Sequence, residues 1–298
     1  TACVVLTPYI TTAQQKKPTV NPPTVQPVTH EASANISDAV AASGLQGGLV
    51  VQLGGSDITT AIELSKTGRY LFHVLDTSVE KTLAAQNRIH QQGHYGLAWA
   101  EHTPNPNRLP YAENVVNLII IRDYSIPMNE LLRVLVPGGA LVVTNPELVP
   151  ASMQSHAALQ PPRFEGDLVV ATKRWPIEMD VWSHPRHAAD GNAVSSDTLV
   201  GPPERVRWIA AATSEVEGMV TAGGRNFYGG ILARDSFNGL RLWHRNLAKS
   251  EENNPAEFTL PKIPANGSRP IASSQHLFAL LKGSPVTLDA ATGEVIAK

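Results

Sequence analysis

The sequence predicts an α/β domain built on a doubly wound, mostly parallel sheet, followed by an all-β segment. Apolar runs typical of buried strands alternate with helical segments over residues 35–145, and this alternation indicates β-α-β units. After residue 175, short strands alternate with glycine turns instead. All five Trp residues lie from Trp99 onward, so the two parts of the chain also differ in composition.

The charge and cysteine content exclude several classes of function. The chain has 298 residues, with 24 Lys and Arg against 26 Asp and Glu, so no overall positive field attracts nucleic acid. Its single cysteine, Cys3, excludes a disulfide framework, a Cys-based zinc site, an iron–sulfur cluster and CxxCH haem attachment. We therefore expect no nucleic-acid partner, and a length of 298 residues suggests about two domains.

Residues 1–13 predict the remnant of a signal peptide. Their apolar run of about ten residues is shorter than the roughly 20 that span a bilayer, and Thr11–Ala13 has the small residues of a cleavage site. The run thus predicts no transmembrane segment and favours export to the periplasm or cell surface. A lipidated Cys3 and a buried strand in a cytoplasmic chain are the alternatives. Residues 14–34, with four prolines, predict an extended linker.

The first domain, residues 35–175, has alternating elements with recognisable boundaries. Ser37 is expected to cap the first helix and Gly44 to end it, while Pro137–Gly139 is expected to form a turn before the fifth strand. The predicted strands are Leu49–Leu53, Tyr70–Leu75, Gly96–Ala100, Val115–Ile121, Ala140–Thr144 and Leu168–Thr172. The predicted helices are Asp38–Ser43, Ile58–Lys66, Ser78–Gln92, Met128–Leu135 and a short one near Ala151–Leu159.

Two features predict a nucleoside site at the carboxyl ends of the strands. Gly54 and Gly55 directly follow the first strand, and a glycine turn lets the backbone approach a ligand at a helix N-terminus. Asp76 ends the second strand, 22 residues after Gly54, where a carboxylate accepts the hydroxyls of a ribose in a doubly wound sheet. Each feature also occurs alone, as a tight turn or a helix cap, so the prediction depends on their combination.

Four segments of this domain resemble class I S-adenosylmethionine-dependent methyltransferases. They are Leu49–Asp57, Leu75–Asp76, Leu109–Ile119 and Asn129–Gly139. The last two are similar to the family's LPFxDxxFDxV and ExxRVLxPGG stretches, in the same order and spacing. The resemblance covers about residues 35–145 and implies a Rossmann-like fold that binds S-adenosylmethionine. The cofactor-binding residues that it implies are Gly54, Gly55, Asp57, Asp76 and Leu109.

The glycine loop departs from the family's pattern. Gln52 stands where the family has an acidic residue, and Ser56 and Ile58 replace two glycines, so that the Ile58 side chain is expected near the methionine part of the cofactor. Asn117 replaces the usual aspartate of the fourth strand. Export would also separate the domain from a cofactor made in the cytosol. These departures leave two alternatives, an active methyltransferase with an unknown acceptor or a catalytically degenerate one.

The segment from residue 176 to residue 298 contains an internal repeat. Asp235–Gly239 and Asp289–Gly293 lie 54 residues apart, each between apolar strands, and this spacing fits a repeat of about 45 residues with one long loop. The predicted strands are Met219–Ala222, Asn226–Ala233, Leu240–His244, His276–Leu281 and Pro285–Leu288. The two turns, and Trp243 after the first, resemble the blade signature of PQQ-like (quinoprotein-type) β-propellers.

This second resemblance implies an incomplete propeller of about two blades. Propellers close with about four to eight blades, so the missing blades are expected from a longer polypeptide or another chain, as in large exported proteins of planctomycetes. Pyrroloquinoline quinone is not expected in this fragment, because two blades form no central funnel. A non-catalytic exported scaffold and a fragment of a quinoprotein oxidoreductase are therefore the alternatives to a methyltransferase.

A possible metal site lies between the two domains in the sequence. His184, His187 and Asp190 have an H-x-x-H-x-x-D spacing, but Pro185 breaks the helix that would bring them to one face. We therefore expect these residues to make polar loop contacts that hold the connecting segment, and no metal.

Overall fold

The computed structural model describes residues 35–55, 58–105, 107–124, 126–202, 206–210, 219–229, 231–245, 269–281 and 284–298. The predicted signal peptide and linker, residues 1–34, and the predicted site residue Asp57 lie outside the described residues.

A seven-stranded sheet forms the first part of the structure. Its strands, in chain order, are β1 Gly48–Leu53, β2 Tyr70–Asp76, β3 Ala98–His102, β4 Val116–Ile121, β5 Leu135–Val143, β6 Arg163–Glu165 and β7 Leu168–Thr172. Their spatial order is β3-β2-β1-β4-β5-β7-β6. The first five pair in parallel, and β7 pairs antiparallel with β5 and β6. An order of 3-2-1-4-5 is that of a doubly wound Rossmann-like sheet, so this part of the predicted fold is confirmed.

Helices cover both faces of this sheet. They are α1 Ile36–Ser43, α2 Thr59–Ser65, α3 Val79–Gln91 and α4 Met128–Val134, with 3₁₀ turns at Pro146–Leu148 and Ala151–Met153. Side chains of α1, α2 and α3 share one buried cluster with Phe72 and Ile120 of the sheet. Side chains of α4 share the cluster on the opposite face with Ile119 and Ile121. Residues alternate in direction along β4, so an apolar strand contributes to both cores.

Local structure departs from the sequence prediction at several positions. Asn35, not Ser37, caps α1, because its side chain accepts the Ser37 N–H at 3.1 Å. The predicted turn Pro137–Gly139 lies inside β5, where Gly138 N–H bonds to Lys173 O at 2.9 Å and extends the pairing with β7. The predicted helix near Ala151–Leu159 is a single 3₁₀ turn.

Two four-stranded antiparallel sheets follow. The first antiparallel sheet contains β8 Met219–Ala222, β9 Arg225–Tyr228, β10 Leu232–Asp235 and β11 Arg241–His244. The second antiparallel sheet contains β12 Ile271–Ala272, β13 His276–Leu281, β14 Ser284–Asp289 and β15 Val295–Ala297. In each, neighbours in sequence are neighbours in space. The prediction of one strand over Asn226–Ala233 is wrong, because the chain turns at Gly229, φ +60°, and forms a hairpin.

The two antiparallel sheets pack face to face through a shared apolar core. Phe227 and Ala233 of the first meet Leu277 and Leu288 of the second, and all four side chains are fully buried. A tryptophan joins the sheets at their edge: Trp243 donates from Nε1 to Ala290 O at 3.1 Å.

The same tryptophan contact occurs twice. Trp243 lies flat on Gly293, where a Cβ atom would come within 2.6 Å of its ring. Trp208 covers Gly239 in the same way and donates to Ser236 O at 3.2 Å. Because a tryptophan stands on the glycine of each Asp-x-x-x-Gly turn, the repeat seen in the sequence is also a repeat of contacts.

The connecting segment crosses the first strands of both antiparallel sheets. Trp182 exchanges hydrogen bonds with Thr221 of β8, at 2.7 and 2.9 Å, and Ser183 O accepts the Ala272 N–H of β12 at 2.9 Å. These hydrogen bonds satisfy main-chain N–H groups on β8 and β12, which are edge strands of their sheets.

Among the described residues, no helix has the length and apolar character of a membrane span.

Candidate functional site

The predicted cofactor loop lies at the carboxyl end of β1, as its sequence position implies. Gly54 has φ +78° and its N–H donates to Leu75 O at 2.8 Å. A Cβ atom on Gly54 would lie 2.5 Å from Cβ of Asp123. The close approach that requires glycine here is therefore to the chain's own Asp123, which follows β4.

Asp123 and Arg122 occupy the outer side of this loop. The Gly55 N–H donates to the Asp123 carboxylate at 2.8 Å, and Lys81 Nζ lies 3.4 Å from the same carboxylate. A Cβ atom on Gly55 would meet the Arg122 side chain at 3.0 Å. The backbone donor that a glycine loop offers to a ligand is thus already bonded to a carboxylate of this chain.

Gln52 explains the missing acidic residue of the loop. Its side chain is fully buried, and Nε2 donates to the carbonyl oxygens of Gly54 at 2.8 Å and Gly55 at 3.3 Å. A carboxylate has no proton to donate to these carbonyls, so glutamine holds the loop in a way that an acidic residue could not. Gln52 Oε1 is buried and has no hydrogen-bond partner within the described residues.

Asp76 ends β2 as predicted and is almost fully buried. Its Oδ1 accepts the Ser78 N–H at 2.7 Å, the contact of an Asx turn before α3. Tyr124 lies across the end of the same strand and donates to Leu75 O at 2.9 Å. Burial, with the nearby charges of Asp76 and Asp123, raises the pKa of the Tyr124 hydroxyl. The phenol is therefore neutral and stays a hydrogen-bond donor.

Leu109 lies in an apolar core, whereas Ile58 also lines a cavity of about 390 Å³ with Ser78 and Lys81. Leu109 is 2% exposed and belongs to the core on the α4 face. Its N–H donates to Glu130 at 2.7 Å, and Arg133 donates to Leu109 O at 3.3 Å. Ile58, expected beside a methionine moiety, is 2% exposed and packs in the opposite core.

The segment Asn129–Gly139, which resembles a methyltransferase motif, holds the chain before β4 through Glu130 and Arg133. Glu130 is 7% exposed and makes a two-point ion pair with Arg133, at 2.7 and 2.8 Å. Arg133 also donates to Tyr111 O at 2.7 Å. Hydrogen bonds from Arg133 lower the pKa of Glu130. These residues fix the segment before β4 to α4, which gives the sequence pattern a structural role.

A buried histidine of β2, His73, lies against two aromatic side chains and was not predicted from the sequence. His73 is 2% exposed, its ring stacks on Trp99 at 4.3 Å, and Nδ1 shares a hydrogen bond with the Tyr111 hydroxyl. Burial lowers the pKa of His73 to about 3. Its Nε2 lies 3.4 Å from Glu101, but the neutral ring makes this contact a dipolar one and no salt bridge. A histidine inside an apolar strand was the only available signal.

Asn117 lies at the opposite, amino end of the sheet. Its Nδ2 donates to Asp235 at 2.7 Å, and its Oδ1 accepts from Leu49 N–H and Asn238 Nδ2, both at 2.8 Å. The asparagine that replaces the family's aspartate therefore joins β4 to the first repeat turn. A cavity of about 260 Å³ lies beside this contact and is lined by Asn117, Asp235 and Arg225.

His184, His187 and Asp190, the residues of the H-x-x-H-x-x-D spacing, make polar loop contacts, as expected from the sequence. His187 donates from Nε2 to the Asp180 carboxylate at 2.7 Å, and the Ser183 hydroxyl bonds to His184 Nδ1 at 2.9 Å. Asp190 is exposed and accepts the Asn192 N–H at 3.0 Å. Within the described ranges no group of three His, Cys, Asp or Glu side chains is placed to hold a metal ion.

The chain is similar to several solved structures over less than half of its length. No family model and no curated protein matches the chain. Solved structures that match include a putative sarcosine dimethylglycine methyltransferase from Galdieria sulphuraria, with 17% identity, 36% of this chain, 44% of that chain and a TM-score of 0.32. A putative S-adenosyl-L-methionine-dependent methyltransferase from Methanococcus maripaludis has 14% identity, 47% and 84% coverage and a TM-score of 0.37.

A third solved structure is a SAM-dependent methyltransferase from Aquifex aeolicus, with 16% identity, 46% of this chain, 86% of that chain and a TM-score of 0.36. The chain spans less than half the length of the Galdieria protein. The Rossmann-like architecture itself follows from the strand order of the sheet.

Proposed function

We propose that the chain is a methyltransferase-like protein whose Rossmann-like domain no longer transfers methyl groups and serves as a structural module for the antiparallel sheets. One observation carries this proposal: the Gly55 N–H, a donor of the predicted cofactor loop, bonds to Asp123 of the same chain at 2.8 Å. S-adenosylmethionine would bring a second carboxylate to a loop that already holds one.

Electrostatics and crowding both support loss of the cofactor site. Two carboxylates that share one backbone donor repel each other, and the repulsion grows where water is excluded. Tyr124 and Arg122 also lie against the strand ends and the loop where a nucleoside and a methionine moiety would be bound. Binding of the cofactor would require the side chains of Arg122, Asp123 and Tyr124 to move away together.

Active methyl transfer is the second candidate, and one observation favours it. Gly54 and Gly55 both have positive φ angles, and the buried Asp76 ends the neighbouring strand. This is the arrangement of a nucleoside site in a doubly wound sheet. If the Asp123 loop opens, Asp76 would bind the ribose hydroxyls and the glycine turn would approach the rest of the cofactor.

Calorimetry separates the two candidates. The full chain is titrated with S-adenosylmethionine and with its demethylated product, each to about 1 mM. A dissociation constant of that size corresponds to a binding free energy of about −4 kcal/mol, so weak binding would still be detected. We expect no binding heat for the native chain. Saturable binding of either ligand would overturn the proposal. As a matched pair, Asp123→Ala removes the competing carboxylate and Glu165→Ala, on the distant β6, does not, so only the first is expected to gain any binding.

We further propose that residues 176–298 form two blades of a PQQ-like propeller in an exported protein. The repeated Trp–Gly contacts and the four-stranded sheets support this proposal. The N-terminus of the mature protein in its native host tests the export part, since an uncut chain recovered from the cytosol would contradict it.

A further inference from the structure

We propose that the cavity beside the Asn117–Asp235 contact binds a small organic monocarboxylate, and that Arg225 pairs with its carboxylate group. The cavity has a volume of about 260 Å³, slightly below the roughly 300–1,000 Å³ of most ligand pockets, so its ligand is small. It lies at the amino end of the parallel sheet, opposite the glycine loop that follows β1. The inference therefore does not depend on whether the Rossmann-like domain binds S-adenosylmethionine.

Main-chain atoms form much of the cavity wall. The lining includes six glycines from the loop before β1, from β5 and from the hairpin between β8 and β9, namely Gly44, Gly47, Gly138, Gly139, Gly223 and Gly224. Glycines leave space that side chains would fill, and Gly44 has nothing within 4 Å of its Cβ position. Recognition of a ligand in this cavity therefore depends on a small number of side chains.

Arg225, the first residue of β9, is the cation of this cavity. Its side chain is mostly buried, and Nη1 donates to Ser274 O at 3.2 Å and to Gly223 O at 3.3 Å. Within the described residues, Nε and Nη2 make no hydrogen bond and the guanidinium makes no ion pair. A guanidinium is always charged, and a buried charge is costly without a partner of opposite sign. Nε and Nη2 form one edge of the guanidinium, so together they can bind both oxygens of a carboxylate.

The two carboxylates whose charges act on Arg225 have donors of their own. Asp235 accepts from Asn117 Nδ2 at 2.7 Å and from two N–H groups of its turn, and Asp289 accepts two N–H groups of the second turn. Burial lowers the pKa of Arg225, and the charges of Asp235 and Asp289 act against this effect. The same charges repel a dianion more than a monoanion, so a monocarboxylate fits the cavity better than a phosphate.

Two aromatic rings give the cavity an apolar wall. The ring centroids of Trp175 and Phe237 lie 5.9 Å apart. Both rings lie against Gly224, where a Cβ atom would be 3.4 Å from Trp175 and 3.3 Å from Phe237. Ligand pockets combine apolar walls of this kind with a few polar groups that fix orientation. A ligand with a flat apolar body would contact these rings while its carboxylate pairs with Arg225.

Calorimetry with four small probes tests the site on the full chain. We expect saturable binding of benzoate with a dissociation constant below about 1 mM, and weaker binding of acetate, which lacks the apolar body. Benzamide has the shape of benzoate without its charge and is expected to bind at least about tenfold more weakly. Inorganic phosphate is expected to bind no more tightly than acetate. Absence of saturable benzoate binding, benzamide binding equal to that of benzoate, or phosphate binding tighter than that of benzoate would each overturn the proposal.

Variants of the chain test the role of Arg225. Arg225→Lys keeps the positive charge but loses the edge of two nitrogens, so it should weaken benzoate binding at least about tenfold. Arg88→Gln, which changes an exposed arginine of α3, should leave benzoate binding unchanged. Urea unfolding shows that each variant is folded. Native affinity for benzoate in a folded Arg225→Lys protein overturns the assignment of Arg225.

Trp175→Ala provides a second test if Arg225→Lys does not fold. The Trp175 side chain is 40% exposed, so its truncation removes part of the apolar wall from the rim of the fold. Benzoate binding is expected to weaken, because the ring of benzoate loses its contact with the wall, whereas acetate binding is expected to stay the same. Unchanged benzoate binding in Trp175→Ala also contradicts binding in this cavity.

Discussion

The side-chain amide of Asn117 donates a 2.7 Å hydrogen bond to the carboxylate of Asp235. Both side chains are buried, and they belong to different sheets: Asn117 to β4 of the parallel sheet, Asp235 to the end of β10. Burial raises the pKa of Asp235, while donors that include Asn117 act against that rise. The uncharged amide is thus part of what allows this carboxylate to be buried.

Asn117→Asp is expected to destabilise the protein by about 2–5 kcal/mol at pH 7, because it replaces a donor with a second buried carboxylate. Urea unfolding measures the loss. Asn117→Asp combined with Asp235→Asn restores one donor and one acceptor, so the double variant should recover part of it. An Asn117→Asp protein as stable as the native one would show that the sheets do not depend on this contact.

Gly54→Ala is expected to lower the free energy of unfolding by more than the left-handed backbone of Gly54 alone explains. The alanine Cβ would meet Asp123 at 2.5 Å, so packing strain of about 1–3 kcal/mol adds to the backbone strain. Gly68→Ala is the matched control, since Gly68 has φ +70° and nothing within 4 Å of its Cβ position. It should cost only about 1 kcal/mol. Equal losses of unfolding free energy in the two variants would contradict the close approach of Asp123.

Periodicity predicted the parallel sheet well because its strands are long and buried on both faces. β4, apolar except for Asn117, was predicted within one residue of its bounds. Short antiparallel strands were harder, because Asn226–Ala233 reads as a single run although it turns at Gly229. Pro137 and Gly138 signal a turn locally, yet pairing with β7 draws them into β5. Tertiary pairing outweighs local preference at Pro137 and Gly138, whereas Gly229 and Gly230 are themselves a local turn signal.

The predicted site was only partly accessible to sequence reasoning. The positions of Gly54 and Asp76 at adjacent strand ends follow from the alternation of strands and helices. The neighbours of that site do not, because Asp123 and Tyr124 come from a different loop about 70 residues away from Gly54 in the chain. Leu109 was assigned by motif alone, and its burial follows from the hydrogen bond of its N–H to Glu130.

His73 is expected to make stability depend on pH. Its folded-state pKa, about 3, lies below the unfolded value of about 6.5. Protonation then favours the unfolded chain, so this contribution is complete above about pH 6.5 and is lost as the pH falls toward 3, by up to about 1.4 kcal/mol per pH unit. Urea unfolding at several pH values between about 4 and 7, which lie within that window, measures how the free energy of unfolding changes with pH.

The same pH series on two variants tests this assignment. His73→Phe removes the titrating ring and should flatten the slope. His90→Asn, which changes an exposed histidine of α3, should leave it intact. A native slope that survives His73→Phe would assign the pH dependence to other groups.

Glu130 is expected to stabilise the fold through its ion pair with Arg133, and this contribution is lost at acidic pH. Because hydrogen bonds from Arg133 lower the pKa of Glu130 in the fold, its contribution is complete above the unfolded pKa, about 4.3, and is lost as the pH falls through the folded value. Glu130→Gln should therefore lower the free energy of unfolding by about 1.5–3 kcal/mol at pH 7. The loss should be much smaller near pH 3, about one unit below the unfolded pKa of a glutamate. Glu147→Gln, at an exposed position, should change stability by less than about 0.5 kcal/mol at either pH. If Glu130→Gln is equally costly at both pH values, its effect comes from packing around Leu109 and not from the charge that Arg133 holds.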